Sequence, residues 1–233
     1  MKILGISGSP RKGKTTDQLV KEVLSATNCE TEFISLAGKK IAPCSACLAC
    51  VADNLCKIND DMVWLREKLL TADAYVFGAP NYFSTLNSLT HCFLERFCQF
   101  RHRSGSALAG KFAAIVSIGG IAPEIPANVI EAILPYYQIK HVGTVTAQGA
   151  ASCFTCGHGE NCSAGAVSIL LGPGQKITKE NIPNLSRQPK KIQEAHMLGK
   201  KIEASLLANA SVSKKNVLRQ IAHNTKKSKE DCP

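Results

Sequence analysis

The chain has 233 residues, 45% hydrophobic and 20% charged, a length that suits one domain with appendages and a composition that excludes wholesale disorder. Its net charge of +10 is local: residues 1–175 hold 15 Lys and Arg against 13 Asp and Glu, while residues 176–233 hold 13 against 5. The opening MKILGISGSP lacks the long apolar region of a signal peptide, and no apolar run approaches the roughly 18 residues that span a bilayer, so a soluble, cytoplasmic protein is expected.

KILGIS (2–7) is a short apolar run closed by a Gly/Ser/Pro-rich loop and predicts a buried first strand. TTDQLVKEVLSA (15–26) places Leu19, Val23 and Leu24 at helical spacing, and TEFISL (31–36) predicts a second strand. A cysteine-rich loop then runs to about Asn59. DDMVWLREKLL (60–70) predicts a helix with acidic residues in its first turn, where the macrodipole favours them. AYVFGAP (74–80) is a third strand stopped by proline. NSLTHCFLERFCQF (87–100) is a helix with Leu89, Phe93, Leu94, Phe97 and Phe100 on one apolar face. FAAIVSIGG (112–120), ANVIEAILPYY (127–137) and HVGTVTAQG (141–149) read as strand, helix and strand. QPKKIQEAHMLGKKIEASLLAN (188–209) is a last helix with Ile192, His196, Gly199 and Ile202 on one side, followed from Ser211 by a basic, flexible tail.

Five apolar strands separated by helices make a parallel sheet covered on both faces. Of the doubly wound α/β orders, the five-stranded flavodoxin-like one, 2-1-3-4-5, fits the count. The expected organisation is a flavodoxin-like domain over 1–175 with an inserted cysteine loop at 43–58, a helical extension over 176–210, and a tail over 211–233. The basic C-terminal segment is a solvated face or a docking surface for an acidic protein. No aromatic residue after Phe154 interleaves with its lysines, which argues against nucleic acid.

Eleven cysteines in a cytosolic chain point to metal or redox chemistry rather than disulfides, and seven of them fall in two tight groups, 44–56 and 153–162. Cys44-x2-Cys47-x2-Cys50-x5-Cys56 sets four thiolates in a loop short enough to wrap one cubane cluster. Structural zinc and a thiol–disulfide pair are the competing readings. Cys153-x2-Cys156-x5-Cys162 offers three thiolates, with His158, Cys92, Cys98 or another subunit as sources of a fourth ligand. Zinc, a second iron–sulfur centre and unliganded thiols are all open there. Cys29, Cys92, Cys98 and Cys232 otherwise read as buried or incidental thiols.

SGSPRKGKTT follows a strand and opens a helix, which is where a parallel sheet binds phosphate through backbone N–H groups, hydroxyls and a cation such as Arg11 or Lys14. Gly8–Thr15 is also a literal match to the P-loop pattern G-x-x-x-x-G-K-[ST]. A P-loop nucleotide-binding protein needs a carboxylate at the end of another strand, and none of the predicted strand ends supplies one. A flavin phosphate fits the loop better, with nucleotide binding as the alternative.

SGSPRKGKTT, GAPNYFSTLNS and the ERF at 95–97 together resemble the NADPH-dependent FMN reductase superfamily over about residues 1–150. The resemblance implies FMN, with Ser9, Arg11, Lys14, Thr15 and Thr16 at its phosphate. It implies Pro80, Asn81, Tyr82 and Phe83 along the isoalloxazine ring, and Ser117, Gly119 and Gly120 on its far edge. Lys14, His91 and Glu95 depart from the residues usual in that superfamily. The first cysteine group, inserted after strand two, resembles that of the iron–sulfur flavoproteins of anaerobic archaea and bacteria. That likeness implies a 4Fe–4S cluster on Cys44, Cys47, Cys50 and Cys56, electron transfer between it and FMN, a ferredoxin or reduced nucleotide as donor, and a homodimer or homotetramer. An NAD(P)H-dependent FMN or quinone reductase with structural zinc is the alternative.

Overall fold

Successive residues of a strand point to opposite faces of a sheet, and here both faces are apolar. Ile3 joins one buried cluster and its neighbour Leu4 another. The computed structural model describes residues 1–102 and 105–230, with side chains described as far as Ser211. In chain order the elements are β1 (Lys2–Ser7), α1 (Thr15–Ser25), β2 (Glu30–Ser35), α2 (Met62–Thr71), β3 (Ala74–Tyr82), β4 (Thr85–Leu86), α3 (Ser88–Glu95), β5 (Phe112–Gly119), α4 (Ile125–Ile133), β6 (Lys140–Gln148), α5 (Ala166–Leu171) and α6 (Pro189–Glu230).

The five long strands pair in parallel in the order β2-β1-β3-β5-β6, and the short β4 pairs antiparallel with the end of β3. Apart from β4, this is the expected 2-1-3-4-5 order. Helices α2, α3 and α4 cover one face through Met62, Leu65, Leu69, Phe93, Leu94 and Ile130. On the other face lie α1 and α6, through Leu19, Val20, Val23, Leu198, Ile202 and Leu206. The C-terminal helix therefore completes a layer of the core. At the crossing, a Cβ on Gly199 would stand 2.3 Å from the Val23 carbonyl oxygen, so α1 and α6 meet backbone to backbone there. His196 on the same face meets Glu22 at 2.8 Å.

β3 runs through Pro80 to Tyr82, where it pairs with β4, rather than stopping at the proline, and two further differences from the expected elements have physical causes. The helix expected over 87–100 is α helix only to Glu95; Arg96–Phe100 tighten into a 3₁₀ turn that carries Arg96 inward to Asp60. Its aromatic face survives the change, with Phe93, Phe97 and Phe100 in edge-to-face contact at 5.0 and 5.5 Å. Pro126 sits in the first turn of α4, which starts two residues earlier than expected, and Pro135 lies in a 3₁₀ turn over Leu134–Tyr137 that follows it. The last helix runs on to Glu230. The side chains of the expected tail after Ser211, and Cys232 with them, lie outside the described residues. No helix among the described residues is long and apolar enough to cross a membrane.

Candidate functional site

The loop after β1, the end of β3, the loop after β5 and the loop after β6 meet at the carboxyl edge of the sheet, the usual ligand edge of an open α/β fold. Gly8 is held from two sides: its N–H donates to the Gly78 carbonyl at 2.7 Å, and its own carbonyl accepts from Asn87 Nδ2 at 2.7 Å. Thr90 Oγ1 donates to Asn87 Oδ1 at 2.6 Å and fixes that amide. Ser9 is buried, and its Oγ accepts from the Arg11 N–H at 3.2 Å. Arg11 Nη2 donates to the Ala150 carbonyl at 2.8 Å, which ties the first loop to the chain leaving β6. Lys14 caps α1 in an extended conformation without a side-chain cap bond, so the first N–H groups of the helix, next to Thr15 and Thr16, carry the partial positive charge an anion seeks. Gly13 donates to Asp17 at 2.7 Å and turns the loop back on its helix.

The next strand ends supply the wider part of this edge. Phe83 and Ser84 both have positive φ, 51° and 58°, between the paired residues Tyr82 and Thr85. That is the pattern of a type I′ hairpin turn built without glycine, a strained arrangement of the kind that gathers at ligand sites. Phe83 is fully exposed at its tip. Asn81 Nδ2 donates to the carbonyls of Ile121 and Ala122, both at 2.8 Å, and so joins the ends of β3 and β5. Its Oδ1 and the hydroxyl of Ser117 are buried without a hydrogen-bond partner. Two orphaned polar atoms near the strand ends are what a polar ligand would satisfy. Gly119 is required by close approach, since a Cβ there would lie 2.6 Å from the Ile121 carbonyl; Gly120 faces Ala151. Pro80 lies in β3 beside Ile118 of β5.

The first cysteine loop leaves β2 and folds onto the far end of α3. Its two ends are gathered by Arg96, which is 1% exposed. Nη1 reaches Asp60 Oδ2 at 2.5 Å and the Ala42 carbonyl at 3.1 Å, and Nη2 reaches the Ile58 carbonyl at 3.4 Å. Burial alone would raise the Asp60 carboxyl; the hydrogen bonds from Arg96, Ala42 and Met62 outweigh it and hold the group below its ordinary value. Between those ends, Ala46, Leu48 and Asn54 all take positive φ, 52°, 58° and 58°. Left-handed residues interleaved with the cysteines curl the backbone, and concave turns of this kind are a general form of anion site; here Val51 and Asn54 already donate their N–H groups within the loop, to the Leu48 and Cys50 carbonyls. Hydrogen bonds from Ala49 and Ser45 lower the Cys47 thiol, while burial raises that of Cys50. The Cys44 N–H donates to Glu95, and the Cys56 N–H to Gln99.

Residues 1–150 match the family described as NADPH-dependent FMN reductase. The chain belongs to that family. The family match spans the carboxyl edge and the first cysteine loop and stops before the second. Among curated relatives, an iron-sulfur flavoprotein of Methanosarcina thermophila is 37% identical over 123 residues, 52% of this chain and 64% of that protein. The chain thus spans less than two thirds of that relative. An iron-sulfur flavoprotein of Archaeoglobus fulgidus is 29% identical over 195 residues, 82% of this chain and 95% of its own. A solved structure of RosB with a bound formylriboflavin phosphate intermediate superposes with TM-score 0.64 at 14% identity, covering all of this chain and 89% of that one, a likeness of fold.

Two features of this FMN reductase family member lie outside those motifs. In the second cysteine group, Cys153 Sγ accepts from the Ala166 N–H at 3.3 Å and Cys156 Sγ from the His158 N–H at 3.4 Å. Among the described residues, however, the structure does not gather Cys153, Cys156 and Cys162 within 4.8 Å of one another. Nor, among the described residues, does it gather Cys44, Cys47, Cys50 and Cys56 that closely; the one group found there is Cys50, Cys98 and His102. Cys98 reads from sequence as an incidental thiol, and His102 has no motif around it beyond its spacing of four from Cys98.

Proposed function

We propose that this protein is a redox flavoprotein that passes electrons between FMN at the carboxyl edge and a 4Fe–4S cluster on Cys44, Cys47, Cys50 and Cys56. The observation that carries the reading is the cysteine loop itself, four cysteines on a backbone that Ala46, Leu48 and Asn54 curl through left-handed conformations, a form that suits an anionic centre. When bound, the flavin supplies a two-electron centre and the cluster a one-electron relay. Ser9, Arg11, Lys14, Thr15 and Thr16 hold the phosphate end of FMN. Pro80, Asn81, Tyr82 and Phe83 lie along its ring, and Ser117, Gly119 and Gly120 border the far edge. Arg96 keeps the cysteine loop closed.

From Asn87 at the first site to Cys98 beside the second the chain advances along α3 and the 3₁₀ turn after it, about 17–18 Å at 1.5 and 2.0 Å per residue. This separation supports assembly as a homodimer or homotetramer in which a neighbour's cluster comes closer to FMN. The basic segment 176–233 supports docking of an acidic donor such as a ferredoxin in the cytoplasm. The amide hydrogen bonds at Cys153 and Cys156 support a second site for zinc or iron–sulfur, one that forms when Cys153, Cys156 and Cys162 close on the metal and a fourth ligand joins them.

An anaerobic reductive titration of the full chain tests the electron-transfer reading. It is expected to consume about three electrons per chain, two at the flavin and one at the cluster, falling to two in Cys50→Ser. Uptake of two electrons by a wild-type protein that carries zinc would instead establish a reductase with a structural metal.

A further inference from the structure

A thiol and an imidazole that no motif singles out stand against the most buried cysteine of the loop. His102 Nε2 lies 3.1 Å from Cys50 Sγ and 3.6 Å from Cys98 Sγ, and the three ligand atoms fall within 4.8 Å of one another. Zinc bonds of about 2.3 Å to sulfur and 2.0–2.1 Å to nitrogen, set at tetrahedral angles, separate a sulfur from a nitrogen by about 3.5 Å. The two observed sulfur–nitrogen distances lie on either side of that spacing.

The frame around them is built. The Asn54 N–H donates to the Cys50 carbonyl at 2.8 Å, and Asn54 Oδ1 accepts from the His102 N–H at 3.1 Å. Asn54 thus fastens the backbones of Cys50 and His102 to each other, the supporting contact a metal ligand pair needs. Gln99, next to Cys98, accepts from the Cys56 N–H and docks the same turn on the far side of the loop.

We propose that Cys50, Cys98 and His102 form a mononuclear site for a thiophilic divalent cation, zinc above all, with the fourth position taken by water or Cys56. Its consequence rests on the cluster reading: Cys50 cannot serve both centres, so zinc and the cluster exclude each other on one chain. Zinc would then hold the loop in the cluster-free protein and oppose cluster assembly.

The test uses the full chain carrying Cys153→Ser and Cys156→Ser, which silences the second cysteine group, freed of iron under reducing, anaerobic conditions. Cobalt(II) is the probe and zinc its competitor. The expected result is one cobalt per chain with a thiolate charge-transfer band and tetrahedral visible intensity, displaced by zinc. Cys98→Ser and His102→Gln should each weaken binding by about 10–100-fold or more. Iron and sulfide reconstitution of these two variants, which keep all four motif cysteines, should match the parent and, unlike the parent, should tolerate one equivalent of added zinc. FMN content checks that each variant is folded. Cobalt affinity unchanged in both variants overturns the site. Failure of the parent to build any cluster, with cobalt binding still dependent on Cys98 and His102, overturns the cluster reading and leaves the site standing.

Discussion

Replacing Arg96 by methionine keeps the length of the stem and removes the charge. In the structure this leaves Asp60, 8% exposed, ionised beside carbonyls that had shared a cation. Removing one partner of a buried ion pair costs about 3–5 kcal/mol, because the other charge stays behind unpaired. Against a total stability of about 5–15 kcal/mol the chain still folds, but its margin shrinks. At roughly 2–4 °C per kcal/mol for a domain of this size, the melting temperature should fall by about 6–20 °C. The same change opens the mouth of the cysteine loop between Ala42 and Ile58, so the iron content of anaerobically purified protein should fall with it. Thermal melting and iron assay of Arg96→Met, beside Arg96→Met/Asp60→Asn, separate the two effects. The double variant should recover more than half of the lost melting temperature and little of the lost iron. A single variant that melts within about 2 °C of the parent with full iron would show that Arg96 neither stabilises the fold nor closes the loop.

The pairing also has a pH signature: Asp60 is held below its ordinary value, so its contribution is complete above about pH 4–5 and disappears as pH falls through the folded value. The melting difference between the parent and Asp60→Asn should therefore close below about pH 4, as thermal melts across pH 2.5–7 would reveal. Asn87→Ala removes the donor to the Gly8 carbonyl, a loss of about 1–1.5 kcal/mol, and should weaken FMN binding about tenfold by fluorescence titration. Gly199→Leu puts a Cβ against the Val23 carbonyl and should cost about 1–3 kcal/mol in chemical denaturation, while iron and flavin content stay at parental levels.

The parallel sheet was legible because its strands are buried on both faces, so KILGIS and FAAIVSIGG stand out as unbroken apolar runs. Ile192, His196, Gly199 and Ile202 lie on one helical face in sequence, and that face is the one that meets α1 and the sheet. What stayed hidden depends on contacts rather than pattern. The Phe83–Ser84 turn carries none of the Asn-Gly or Asp-Gly signals that mark a tight hairpin, so β4 left no trace. The Arg96–Asp60 pair spans 36 residues, and nothing local says that Arg96 turns inward. The cysteine spacing predicts a metal ligand set within the loop, and it gives no sign of Cys98 and His102, which stand beside Cys50 only because α3 tightens at its end and the loop folds across to it.

If the protein works as proposed, FMN and a four-iron cluster share this one chain. Assay of flavin, iron, sulfide and zinc on a single anaerobically purified sample, with its visible spectrum, tests it most directly. The expected result is about one FMN with about four irons and four sulfides per chain, flavin bands standing on a broad iron–sulfur shoulder. Zinc with flavin and no sulfide, or metal without flavin, would contradict it.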